Sequence, residues 1–140
     1  SSSNEVIKNI TGVGKNPNAI VYNPDNKLVY VTNFDESTIS VINSSSNEVI
    51  KNITGVGKNP SDIVYNPDNI LLYIINHLYT AKFSVFAYVT LINPINGDIV
   101  EKVFIGDNPK HILYNPSDHK LYITKIADLG IIVMDTSKDE

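Results

Sequence analysis

The stretch SSSNEVIKNITGVGKNP at Ser1–Pro17 is repeated, letter for letter, at Ser44–Pro60. The period outlasts the identity: Ala-Ile-Val-Tyr-Asn-Pro-Asp-Asn at 19–26 becomes Asp-Ile-Val-Tyr-Asn-Pro-Asp-Asn at 62–69 and, more loosely, His-Ile-Leu-Tyr-Asn-Pro-Ser-Asp at 111–118. A chain built this way folds as repeated units that bury their apolar faces on one another. The units are about 1–43, 44–92 and 93–140, within one domain spanning 1–140.

A period in the low forties fits either a helical pair or a four-stranded sheet. Strand chemistry decides. The first full unit holds four short runs rich in Val, Ile, Tyr and Thr, at 19–22, 28–32, 38–42 and 49–53. Between them stand Asn-Pro-Asp-Asn, Asn-Phe-Asp-Glu and Ser-Ser-Ser-Asn, residues that bond locally to backbone or fix φ and so favour turns. Runs of five between such turns are strand length and too short for packed helices. The expected fold is all-β, with four antiparallel strands (A to D) per unit. Leu28-Val29-Tyr30-Val31 lacks the alternation of a sheet wetted on one side, so the middle strands are expected to lie between neighbouring sheets. The strand order reads D, ABCD, ABCD, ABC, so the chain is expected to open on a fourth, outer strand.

Tyr30-Val31-Thr32-Asn33, preceded by a Gly14-x-x-Pro17 lead-in and Ile-Val-Tyr-Asn-Pro-Asp, resembles the YVTN-type β-propeller repeat family. The matching strands are Tyr73-Ile-Ile-Asn76 and Tyr122-Ile-Thr-Lys125. The resemblance covers essentially the whole chain and implies three propeller-blade equivalents. It also implies kinship with archaeal and bacterial cell-surface and surface-layer proteins, hence an extracellular or cell-surface location and a scaffold or recognition role without catalysis. Lactonases and lyases occur in the same neighbourhood, so fold alone does not decide function. Closed rings usually need at least four blades. Three equivalents therefore read either as an arc of a larger ring or as a unit whose copies associate, for instance two chains making six blades; the exposed blade faces and strand edges of an arc predict self-association.

Composition narrows the partners. Net charge is −4 and all eleven basic residues are Lys, which disfavours nucleic acid and anionic membranes. No apolar run approaches the roughly 20 residues of a membrane-spanning helix. No Cys is present, which removes disulfides, zinc thiolates and thiol nucleophiles. No phosphate-cradling loop, nucleophile elbow or H-E-x-x-H occurs, and no cofactor is expected.

Four sets of residues remain as candidates. Asp62 and His111 follow their lead-in prolines at matching positions and could act as acid and base in a hydrolase or lyase. Two ligands are too few for a usual metal centre, and the third matching position is Ala19, so no metal site is expected. Asp25, Asp68 and Asp118 recur in the A–B turns, one carboxylate per turn, and are read as turn stabilisers rather than calcium ligands. His77 and His119 are expected in solvent.

The third unit starts late because 74–92 is lengthened. The insertion brings Tyr79, Phe83, Phe86 and Tyr88, either as an extended B–C hairpin or as a contact surface for a protein or carbohydrate ligand. Finally, Asn9, Asn43 and Asn52 head N-x-[ST] triplets and are candidate glycosylation positions. A structural packing unit of a surface lattice is a further reading of the same features.

Overall fold

A computed structural model describes residues 4–79, 85–126 and 130–137. It contains eleven strands among these residues and no helix. Four form the first sheet in chain order: β1 (Pro17–Asn23), β2 (Leu28–Asn33), β3 (Thr38–Asn43) and β4 (Glu48–Ile53). The second sheet repeats the pattern with β5 (Pro60–Asn66), β6 (Leu71–Tyr79), β7 (Val85–Ile92) and β8 (Ile99–Gly106). The third holds β9 (Pro109–Asn115), β10 (Lys120–Lys125) and β11 (Ile131–Asp135). Every pairing is antiparallel between consecutive strands. The first strands of successive sheets meet, β1 against β5 and β5 against β9.

The A–B turns show why the repeats share one register. In the first, Asn23 Oδ1 accepts from Asp25 N at 2.9 Å, and Lys27 N closes the turn on Asn23 O at 2.8 Å. Lys27, Ile70 and His119 end the three turns at φ 62°, 65° and 60°. The left-handed region is unusual for any side chain and more so for β-branched Ile70. The register that follows is the same in each sheet: Val21 faces Tyr30, Val64 faces Tyr73, and Leu113 faces Tyr122.

Two apolar cores lie between the sheets. The first joins Tyr30, Ile39, Val41, Ile53 and Val56 to Ile63, Tyr65, Leu72, Ile74 and Ile92. The second joins Tyr73, Ile75, Ala87, Val89 and Leu91 to Ile112, Leu121 and Ile123. Leu72 to Ile75 is therefore buried on both faces, as expected for strands without alternation.

The matching asparagines of β2 and β6 are structural. Asn76 is buried; its Nδ2 donates to Lys58 O at 3.0 Å and its Oδ1 accepts from Thr90 at 2.7 Å. It lies under Gly57, where φ is +102° and an added Cβ would stand 2.9 Å from Asn76 Nδ2. Asn33, also buried, uses its amide nitrogen for both contacts: Nδ2 donates to Thr38 Oγ1 at 3.1 Å and to Ser40 Oγ at 2.8 Å.

The opening of the chain departs from expectation. Residues 4–16 form no strand, and Val6 and Ile7 are 85% and 84% exposed, although Glu5–Ile10 matches β4 letter for letter. A strand needs a neighbouring edge to bond, and this segment has none among the described residues.

Candidate functional site

The starts of β1, β5 and β9 converge on an open cleft of about 440 Å³. Its wall includes Asn18, Ser61, Asp62, His77, Lys110 and His111, so the structure does bring the Asp62–His111 pair together. His111 Nδ1 stands 3.5 Å from Asp62 Oδ2. The pair is asymmetric, with His111 70% exposed and Asp62 19%. Asp62 is also a clamp: Oδ1 accepts from Ile63 N and Oδ2 from Ile112 N, each at 2.9 Å, the second bond crossing to the third sheet. Beside it, Asn18 Nδ2 donates to Ser61 O at 2.6 Å, which ties the first sheet to the second. No group of three metal-ligating side chains forms among the described residues. The cleft thus offers one carboxylate–imidazole contact, open to water, with the carboxylate already engaged by backbone.

His77 corrects the sequence reading. It is buried, with Nε2 2.8 Å from Ser61 Oγ and its ring stacked 6.0 Å from Tyr79. Burial disfavours the imidazolium and holds its pKa below the ordinary 6.5. Phe34, reaching over from the β2–β3 turn, covers both rings at 6.3 and 6.4 Å. No spacing in the sequence announced this cluster, because Phe34 comes from the neighbouring repeat.

His119 is half exposed rather than free: Nδ1 lies 2.7 Å from Asp68 Oδ2. The same carboxylate accepts the Tyr114 hydroxyl. Those bonds, Tyr114's first, hold the Asp68 carboxyl below its ordinary value. The first two sheets repeat the arrangement, with Tyr65 donating to Asp25 at 2.7 Å. Burial, helped by Asp25, pushes the Tyr65 hydroxyl up to about 12. Asp118 instead accepts from Tyr122 of its own sheet, at 2.7 Å. Only Asp118 acts as the turn stabiliser the sequence suggested, accepting from Lys120 N and Tyr122, while the Asp25 and Asp68 carboxylates tie their sheet to the next one.

The lengthened hairpin is β6–β7, running past the body of its sheet. Tyr79 is 56% exposed and Phe86 39%. Phe104 on β8, which sequence reasoning missed, is 57% exposed and lies 6.2 Å from Phe86 and 5.7 Å from Tyr88. The signal was the cross-strand register, which sets Tyr88 opposite Phe104 and is not readable from one strand. Phe83 lies outside the described residues.

Among the sequon asparagines, Asn9 and Asn52 are exposed, Asn52 accepting from Ser40, while Asn43 is part-buried and holds its turn through Ser45 N at 2.8 Å. No helix is long and apolar enough to cross a membrane among the described residues.

No protein-family model matches the chain, and no curated protein sequence does. Among solved structures, the chain is similar to Kuenenia stuttgartiensis hydrazine synthase, at TM-score 0.50 and 18% identity over 86% of its own length. It spans 51% of that neighbour's chain. At this identity the likeness concerns fold alone.

Proposed function

We propose that the chain is a non-enzymatic recognition scaffold, a propeller segment of the YVTN type exposed at a cell surface or outside the cell. Its ligand is a protein or a carbohydrate, met by the aromatic surface of the β6–β8 region. The observation that carries this reading is the trio Phe86, Tyr88 and Phe104, spaced about a ring apart on adjacent strands and open to solvent at Phe86 and Phe104. Exposed aromatics in a cluster bury large areas at low entropic cost when a ligand covers them. All three lie on the paired strands β7 and β8 of one sheet, so their backbones are already ordered before a ligand binds.

The test is NMR titration of the labelled chain with neutral oligosaccharides and with unstructured peptides. Expected are shifts at the Phe86, Tyr88 and Phe104 amides, lost in Phe104→Ala. Shifts confined to the cleft, or none with either probe class, would overturn the reading.

A second reading, a hydrolase or lyase using Asp62 and His111, is favoured by the shared cleft alone. Zinc or calcium that raised the melting temperature in the wild type and not in His111→Ala would support it.

A further inference from the structure

We infer that residues 5–10 of one copy form the fourth strand of the β9–β11 sheet of a second copy, joining the two head to tail. The partner is thus a second copy of this chain, bound through strand addition and through the apolar face beside it.

The first observation is that the sequence has a solved counterpart within the same molecule. Glu48–Ile53, identical to Glu5–Ile10, is strand β4, antiparallel to β3. The second is placement. Lys51 Nζ reaches across to Ile95 O of the next sheet at 3.2 Å, and its twin Lys8 Nζ reaches Ser46 O of the first sheet at 3.5 Å. Residues 5–10 thus already stand against the first sheet much as β4 stands against the second. Among the described residues they pair with no strand.

The third observation is the free edge. Among the described residues no strand pairs with the outer side of β11. Ile131 and Val133 are 60% and 55% exposed, whereas their counterparts Ile39 and Val41 are fully buried. On the opposite side of the molecule Ile20 and Tyr22 are 68% and 49% exposed, while their counterparts Ile63 and Tyr65 are buried at 3% and 8%. The two bare faces are therefore the two halves of a joint the molecule already makes twice. In the new joint the Tyr22 hydroxyl takes Asp118 of the other copy, as Tyr65 takes Asp25.

Transferring the β3–β4 register gives Ile131 opposite Ile10, Ile132 opposite Asn9, Val133 opposite Lys8, Met134 opposite Val6 and Asp135 opposite Glu5. Three substitutions separate this edge from β3, one of them the apolar exchange of Ile42 for Met134. Ile132 replaces Ser40, so Asn9 loses the hydroxyl that Asn52 accepts from. Asp135 replaces Asn43, which sets two carboxylates across from one another at the end of the strand. Two copies can pair in this way twice, residues 5–10 of each against the β11 edge of the other.

The experiment exploits the absence of Cys. A Lys8→Cys chain is mixed with a Val133→Cys chain and oxidised, with Ile50→Cys in place of Lys8→Cys as the control. The expected product is a disulfide-linked heterodimer from the first mixture, well above the control. Sedimentation of the 140-residue chain should show mass rising with concentration. Removal of residues 1–10 should return it to a monomer with an unchanged circular dichroism spectrum. Asp135→Asn, which restores the Asn of β3, should tighten association about two- to fivefold by removing one like-charge contact. Equal cross-linking in both mixtures, or association that survives the truncation, overturns the proposal. Neither readout depends on ligand binding at the hairpin, which Phe104→Ala tests separately.

Discussion

The two joints between sheets use the matching tyrosine and the matching aspartate, yet the groups around those bonds differ. Between the first and second sheets, Tyr65 is buried, donates to Asp25, and sits in a core with Tyr30 and Ile74. Between the second and third, the matching Tyr114 donates to Asp68 nearer the surface, and His119 adds an imidazole to the same carboxylate. The counterpart of His119 in the second sheet is Ile70, which carries no such group. The cleft side differs in the same sense. An amide, Asn18, crosses the first joint, while a carboxylate, Asp62, crosses the second. The repeat keeps the neutral hydroxyl-to-carboxylate bond, and the second joint adds ionisable partners around it.

Truncation at the paired tyrosines should break the symmetry most visibly. Tyr65→Ala is expected to cost about 3–4 kcal/mol, as a large aromatic removed from a closed core does. Tyr114→Ala, nearer solvent, should cost about 1 kcal/mol. Urea denaturation measures both, and equal losses would erase the distinction drawn between the joints.

The pH response sharpens it. The Asp68 carboxyl is held below 3.8 by Tyr114 and His119. Its contribution is complete above about that pH and is lost as pH falls through the lowered folded value. Tyr65 behaves oppositely: its folded value of about 12 lies above the ordinary 10.0, so its contribution is complete below pH 10 and fades as pH rises through 12. In a His77→Asn background, which removes the other group strained by acid, amide exchange near Tyr114 should rise first on acidification. Simultaneous opening of both joints in acid would show that the added histidine does not matter.

The smallest effect separates the turns that carry the two carboxylates. Ile70 holds φ 65° with a branched side chain that is 53% exposed. Ile70→Asn should stabilise by about 1 kcal/mol, because Asn tolerates the left-handed region. Lys27→Asn, relieving an unbranched residue, should gain only a few tenths of a kcal/mol. Thermal melts compare the pair, and a destabilised Ile70→Asn would point to packing by the isoleucine that the turn geometry does not reveal.

Local chemistry was legible in the letters. Asn-Pro-Asp-Asn in two units and Asn-Pro-Ser-Asp in the third formed the A–B turns, the runs between turns became strands within a residue or two, and the insertion became a longer hairpin. Matching positions also brought Asp62 and His111 to one cleft. Contacts between repeats were not legible. The Tyr65–Asp25 bond spans 40 residues and Tyr114–Asp68 spans 46, and no motif marks either. His77 looked like a loop residue because the atoms that bury it come from elsewhere in the chain, Phe34 from the β2–β3 turn and Ser61 from β5. The first six strand-like residues failed to form a strand for a related reason: pairing belongs to two segments, and propensity describes only one.

That last point has a kinetic side. Glu5–Ile10 and Glu48–Ile53 are indistinguishable suitors for the β3 edge, and nothing in their side chains favours the native choice. Chain connectivity does. Only 44–47 separate β3 from the native strand, while 11–37 separate the other copy from it. The sevenfold difference in loop length favours the nearer segment by about 2 kcal/mol. The winner of this contest is therefore chosen by tether length, and lengthening the Ser44–Asn47 turn would narrow the margin until misfolded molecules carry the wrong twin.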